Sequence, residues 1–209
     1  MKKNNLIHFA QSLVLLPVMS LSVSFGGISN IEIPQNVLFQ KINIETKETL
    51  AFNQATASEV ALQKVRAVKA EAIDAYFKSR KMPLLGLGLK MVLEAEKNNL
   101  DWRLLPAIAV RESSGGKNSC DKVEYNSFGW GSCKIGFKSN EEAIEIIAWN
   151  LGGNNPNTEK HYDDKTTGQI LRAYNPPSIV PKYEQQVVSI MKAIGEVDEG
   201  LEITTNATT

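Results

Sequence analysis

Glu112 is the residue in this chain best placed to do chemistry. From Trp102 to about Ser113 the residues Trp102, Leu105, Ala109 and Glu112 fall three or four positions apart, so on a helix they share one face and an apolar stripe leads into a carboxyl group. Apolar surroundings disfavour a charged carboxylate, and unpaired carbonyls at a helix C-terminus oppose it too. Both effects favour a carboxyl that keeps its proton near neutrality, as a general acid must. The alternative is a structural carboxylate paired with Arg111 or capping a neighbouring helix.

The next residues suggest what such an acid would act on. Ser113 to Lys117 leaves the helix through small residues, and Asn126-Ser127-Phe128-Gly129-Trp130-Gly131 sets backbone amides, an Asn side chain and two aromatic rings close together. Sugars are bound by that combination: rings against their C–H faces, short hydrogen bonds to hydroxyls and acetamides, and glycines that let the backbone approach. Core packing is the competing role for Phe128, and a weaker one for a Trp between two glycines. A second acid is harder to place. Asp121, Glu124, Asp163 and Asp164 all fall in expected loops, and Glu124 is the candidate because it shares the loop that would wall a cleft.

Four spaced elements carry a resemblance: Ala109 to Lys117, Asn126 to Trp130, Phe137 to Ile144, and Ala173-Tyr174-Asn175-Pro176 with Tyr183. In this order they resemble the bacterial cell-wall endo-β-N-acetylglucosaminidases of the lysozyme superfamily, the mannosyl-glycoprotein endo-β-N-acetylglucosaminidase-like domains, over about residues 84–195. Ala173-Tyr174-Asn175 also looks like the corresponding element of lytic transglycosylases. The resemblance implies a lysozyme-like helical fold with Glu112 as catalytic acid and Tyr174 beside the reacting sugar. It implies too that Ser113, Asn126, Phe128, Gly129, Trp130 and Asn175 contribute to substrate binding, while Phe137 and Tyr183 are structural. The activity implied is cleavage of the β-1,4 glycan backbone of peptidoglycan at N-acetylglucosamine, without metal or cofactor. The substrate's own 2-acetamido oxygen would serve where a second acid is missing. Attack by a muramic 6-hydroxyl would instead make the chain a lytic transglycosylase or muramidase giving anhydro products, and an inactive wall-binding domain is the reading from another class. The stretch carrying Cys120 and Cys133, and Asn175-Pro176-Pro177-Ser178 after the tyrosine, depart from the family pattern.

The elements that must position these residues are helical. A capping box at Thr56-Ala57-Ser58-Glu59 predicts a first helix to about Lys81, and a second is expected over Leu89 to Asn98. The third, over Trp102 to Ser113, is apolar all round through Leu104 to Val110, so it should be buried, with Asp101 as its cap and Pro106 near its first turn. Asn140 to Leu151, Thr167 to Tyr174 and Pro181 to Ile194 make three more, the first and last halted by glycines and the middle one by Pro176-Pro177. No strand competes, and the expectation is a mostly α fold.

Around this domain, assigned to residues 56–197, the chain carries an N-terminal address. Lys2 and Lys3 precede an apolar run and then small residues up to Gly26-Gly27, the pattern of a signal peptide or membrane anchor over 1–28. Residues 29–55 read as a linker and 198–209 as a disordered tail. Export to the cell wall, periplasm or exterior places Cys120 and Cys133 where a disulfide forms, closing a loop around Asn126 to Trp130. Composition narrows the rest. Twenty-three basic residues balance 23 acidic ones, with no basic run interleaved with aromatics, so nucleic acid is not an expected partner. Two His, His8 and His161, and two Cys are too few for a zinc or haem motif. Nothing suggests an oligomer, and a monomer acting on a glycan is expected.

Overall fold

The computed structural model describes the backbone of residues 35–206 and side chains within 54–197, residue 55 excepted. The expected signal or anchor segment therefore lies outside the described residues. The chain divides into two units, Met1–Glu48 and Thr49–Thr209. Of the first, only the helical stretch from Gln35 is described; the second holds the core and the candidate site. Among the described residues all regular structure is helical: α1 (Gln35–Ser79), α2 (Gly88–Lys97), α3 (Leu104–Ser113), α4 (Trp130–Cys133), α5 (Asn140–Leu151), α6 (Glu159–Tyr162), α7 (Thr167–Tyr174) and α8 (Tyr183–Asn206).

Two expectations about the flanks are corrected. The residues read as a linker are helical from Gln35, and α1 runs unbroken through the predicted capping box. No Gly or Pro lies between Gln35 and Ser79. A hydroxyl and an acid three residues apart start a helix only where the preceding residues cannot continue it, and Leu50-Ala51-Phe52 continue it readily. Glu59 instead accepts a hydrogen bond from Gln63 one turn on, at 2.8 Å. At the other end, the tail read as disordered is helical to Asn206. Gly195, expected to stop this helix, lies inside it at a close approach, since a Cβ there would sit 3.2 Å from the Arg103 guanidinium.

α3 is the centre of the packing. Leu104, Leu105, Ala107, Ile108 and Ala109 are fully buried, as the all-round apolar pattern predicts. It packs against α8, α2 and α5, with α2 on α5 and α7 on α8. Ile73 and Phe77 of α1, Met91 and Val92 of α2, Ile144 and Ile147 of α5, and Val187 of α8 complete one core. Asp74 ties α1 to the start of α2 by accepting the amide hydrogens of Gly86 and Gly88 at 2.9 and 3.1 Å. Pro106 stands in the first turn of α3, where its missing N–H costs nothing. Asp101, expected as the cap of α3, lies two residues before its N-cap position, Arg103, which makes no side-chain cap, and accepts from the Arg103 amide at 2.9 Å. The cap of α5 is Ser139, whose Oγ accepts from Glu142 N–H, and α7 opens with a full capping box of Thr166 and Gln169.

Candidate active site

The end of α3 fixes Glu112. Ser114 takes the left-handed conformation after the helix, with φ 55°, and its N–H and that of Gly115 return to Val110 O and Ala109 O at 2.9 and 3.1 Å. Gly115 has φ +66°, and a Cβ there would overlap Met82, which comes from the turn after α1. Ser113, expected to bind substrate, is 2% exposed. Its Oγ lies 3.0 Å from Ala109 O and 2.7 Å from Ser127 O and accepts from Gly116 N–H, so it joins α3 to the following loop.

That loop is closed by the Cys120–Cys133 disulfide, with Cα atoms 5.5 Å apart, as expected. Asn126 organises it from within. It is fully buried, its Nδ2 donates to Trp130 O and Ile135 O at 2.8 Å each, and its Oδ1 accepts from Trp130 N–H at 3.0 Å. Its amide is thus engaged by the loop itself and does not face a ligand. Phe128 is 1% exposed and belongs to the core. Gly129, Gly131, Ser132 and Cys133 all have positive φ between 54° and 65°, so the chain coils left-handed on either side of Trp130, which is half-buried against the core. A side chain in that conformation costs about 1–2 kcal/mol, and Ser132 and Cys133 both bear it. Reducing the disulfide, or replacing both cysteines by serine, is expected to lower stability by about 3 kcal/mol, read as a fall in melting temperature.

Glu112 receives a hydrogen bond at Oε1 from the hydroxyl of Tyr183, at 2.6 Å. Its Oε2 makes no hydrogen bond among the described residues and lies against Gly129, where a Cβ would come within 2.9 Å of it. Arg111, the alternative partner for Glu112, instead donates its Nε to Gln186 at 2.7 Å, and its guanidinium lies 5.7 Å from the Tyr183 ring centre. Tyr183 is 2% exposed and stacks on Tyr174 with centroids 6.0 Å apart and planes 11° apart. The Tyr174 hydroxyl donates to Phe128 O, which ties α7 to the loop. Trp130 packs on Tyr174 at 5.7 Å and on Tyr162 at 6.4 Å. Glu112, Trp130, Tyr162 and Tyr174 line a cavity of about 490 Å³ with Gly129, Asn175, Pro176 and Ile179.

Burial raises the Tyr183 and Tyr174 phenols well above their ordinary value, and the nearby Glu112 charge adds to it in both. Arg111 opposes this for Tyr183 without overcoming it. Tyr162 is pushed up to about 12 by burial. All three therefore stay protonated, and Tyr183 and Tyr174 donate to Glu112 Oε1 and Phe128 O. Each phenol keeps its proton in the folded state beyond the pH at which an unfolded tyrosine loses it, near 10. The stability they contribute is then fully present below about pH 10 and lost as pH rises through the folded values. Melting temperatures taken upward from neutrality are expected to fall above about pH 10, with a shallower alkaline fall in Tyr183→Phe.

Of the residues expected to act together, Glu112, Gly129, Trp130, Tyr174 and Asn175 line one cavity. Ser113, Asn126 and Phe128 support it from behind. Glu124 is exposed and is not part of that lining; its carbonyl accepts from Phe137 N–H at 3.0 Å, and Phe137 is buried as expected. Asp121, Asp163 and Asp164 are exposed and also lie outside the lining. Tyr162 and the direct bond from Tyr183 are the features that sequence reasoning misses. Tyr183 lies 71 positions from Glu112, and no local spacing links them. Known protein families, curated proteins and solved structures provide no match to this chain.

Gly129→Ala tests the contact with Glu112. The new methyl group meets both an unfavourable φ and Oε2, so about 1–2 kcal/mol of stability should be lost. If Glu112 is a catalytic group, displacing it by a fraction of an ångström to an ångström should slow its reaction by up to about 10²-fold. A rate unchanged in a folded variant would show that the position of Oε2 is unimportant.

Proposed function

We propose that this domain is an exported glycoside hydrolase that cleaves the β-1,4 glycan backbone of peptidoglycan at N-acetylglucosamine, with Glu112 as its general acid. The observation that carries this reading is Glu112 itself: one carboxyl oxygen is held by a buried tyrosine and the other lies free in a cavity walled by Trp130, Tyr162 and Tyr174. Aromatic walls suit the C–H faces of sugars, and Asn175 adds a polar side chain to the lining.

Glu112 is the single carboxylate among the described residues lining this cavity. That supports participation by the substrate. Glu112 Oε2 gives its proton to the glycosidic oxygen as the C–O bond breaks, and the 2-acetamido oxygen attacks the anomeric carbon from the other side. Glu112, now a carboxylate, takes a proton from the incoming nucleophile as that nucleophile displaces the acetamido oxygen. Tyr183 remains protonated and fixes the carboxyl plane through Oε1 in both steps. Water as nucleophile gives hydrolysis, whereas an internal 6-hydroxyl gives an anhydro sugar.

Digestion of purified peptidoglycan, with fragments reduced by borohydride and read by mass spectrometry, tests the reading. Reducible N-acetylglucosamine ends are expected. Reducible N-acetylmuramic ends would make the chain a muramidase, and anhydromuramic ends a transglycosylase. Intact glycan with the protein still bound to the wall would leave a binding domain.

A further inference from the structure

Three tyrosines stand around Glu112 and its cavity, and the hydroxyls of two are already engaged: Tyr183 donates to Glu112 Oε1 and Tyr174 to Phe128 O. The third is not. Tyr162 is 8% exposed, and its hydroxyl makes no hydrogen bond among the described residues. Enclosing a hydroxyl without a partner is costly, and the one enclosed, unpartnered side-chain atom among the described residues is Glu94 Oε2. The Tyr162 oxygen is therefore not sealed in the core: a side chain more than nine-tenths buried brings its polar tip to an open space.

Tyr162 borders two such spaces, the Glu112 cavity and one of about 440 Å³ that includes Asn98, Asn154, Asp163 and Asp164. The hydroxyl belongs to the first. Its ring lies 6.4 Å from that of Trp130, which also lines the Glu112 cavity, and a charge on the Tyr162 phenol is felt by Tyr174 in the same lining. Asp163 and Asp164 do not act on Tyr162, whose phenol is raised by burial. The Glu112 charge reaches Tyr174 and Tyr183 but not Tyr162, so this hydroxyl stands across the cavity from the acid. It is also held in place. The next residue, Asp163, donates its N–H to Glu159 O at 2.8 Å, and Gly153, with φ +73°, packs directly on the Asp163 backbone where a Cβ would collide.

We propose that Tyr162 is a substrate-contacting residue whose hydroxyl donates to a neutral oxygen, an acetamide carbonyl or a hydroxyl, of the sugar seated between it and Glu112. The proposal rests on the glycosidase reading above and deepens it by naming a donor that selects the sugar. A fixed donor with no partner in the protein gives up only water on binding, so a sugar oxygen at this point gains a hydrogen bond, and a ligand without an acceptor there leaves the hydroxyl unpaired. Being remote from the acid, the hydroxyl holds the sugar equally before and during bond cleavage, and its effect falls on KM.

Tyr162→Phe keeps the ring against Trp130 and removes an oxygen that has no protein partner, so its melting temperature should stay close to that of the natural chain. On soluble peptidoglycan strands its KM should rise about two- to tenfold, the weight of one hydrogen bond, while kcat and its pH profile stay where they are. An unchanged KM, or a fall in kcat with KM unmoved, would overturn the proposal. Calorimetric titration of the β-1,4 tetramers of N-acetylglucosamine and of glucosamine into Glu112→Gln, with and without Tyr162→Phe, identifies the acceptor. A loss of affinity confined to the N-acetylated tetramer assigns the acetamide carbonyl, and a loss on both assigns a hydroxyl. Equal affinities with and without the Tyr162 hydroxyl would overturn the proposal again. Should the natural chain cleave no glycan, the glycosidase reading fails and the same titration decides Tyr162 by itself: affinity weakened by Tyr162→Phe upholds a sugar contact, and absence of binding ends it.

Discussion

Glu112→Gln is expected to lower the rate of glycan cleavage by about 10²- to 10⁴-fold, the range that a positioned general acid supplies. The substitution isolates proton donation from geometry. A glutamine oxygen still accepts the Tyr183 hydroxyl bond that holds Oε1 at 2.6 Å, and the side chain changes little in volume. The Gly129 face, which leaves room for Oε2, then meets an NH₂ group of similar size. Melting temperature and binding to the wall should therefore stay close to those of the natural chain, while product release collapses. The amide is not an acid of the required strength, so no proton reaches the leaving oxygen. A variant that cuts as fast as the natural chain would remove Glu112 from the chemistry, whatever its position in the cavity. A variant that loses both cutting and wall binding would place Glu112 in recognition instead.

The carboxylate is legible in the sequence because its surroundings are local. One helical face carries Leu105, Ala109 and Glu112, and α3 is buried as an all-round apolar run must be. The loop after it is legible in composition but not in direction. Ser113, Asn126 and Phe128 have the residue types of a sugar site, yet a loop with a run of positive-φ positions must satisfy its own polar groups first, and the buried Asn126 amide does so. Tyr183 reads as structural from the sequence because its partner is distant in the chain. It is structural in burial and still donates directly to Glu112. The helix ends mislead for a different reason. A capping box is a local start signal and a glycine a local stop signal, and the chain overrides both where neighbouring residues keep good helical propensity and where Gly195 meets Arg103.

Phe77→Ala is the stability counterpart of Glu112→Gln and is expected to cost about 3–5 kcal/mol, the range for emptying a buried aromatic site. Phe77 is fully buried on α1, in the same core as Ile108 of α3 and Ile144 of α5. Its carbonyl also accepts the Met82 N–H at 2.9 Å, which holds the turn that lays Met82 on Gly115. The next residues continue the tie, since Leu84 N–H donates to Gly115 O at 3.1 Å. Loosening the end of α1 therefore loosens the turn immediately after Glu112. Denaturant unfolding should show a large drop in midpoint, and in the protein that remains folded the cleavage rate should fall as well, through misplacement of Glu112. A large loss of stability with an undiminished rate per folded molecule would show that the site is anchored by α7 and α8 alone. A small loss of stability would mean that α1 packs on the domain without completing its core, and the boundary of the folding unit would then move back past α1.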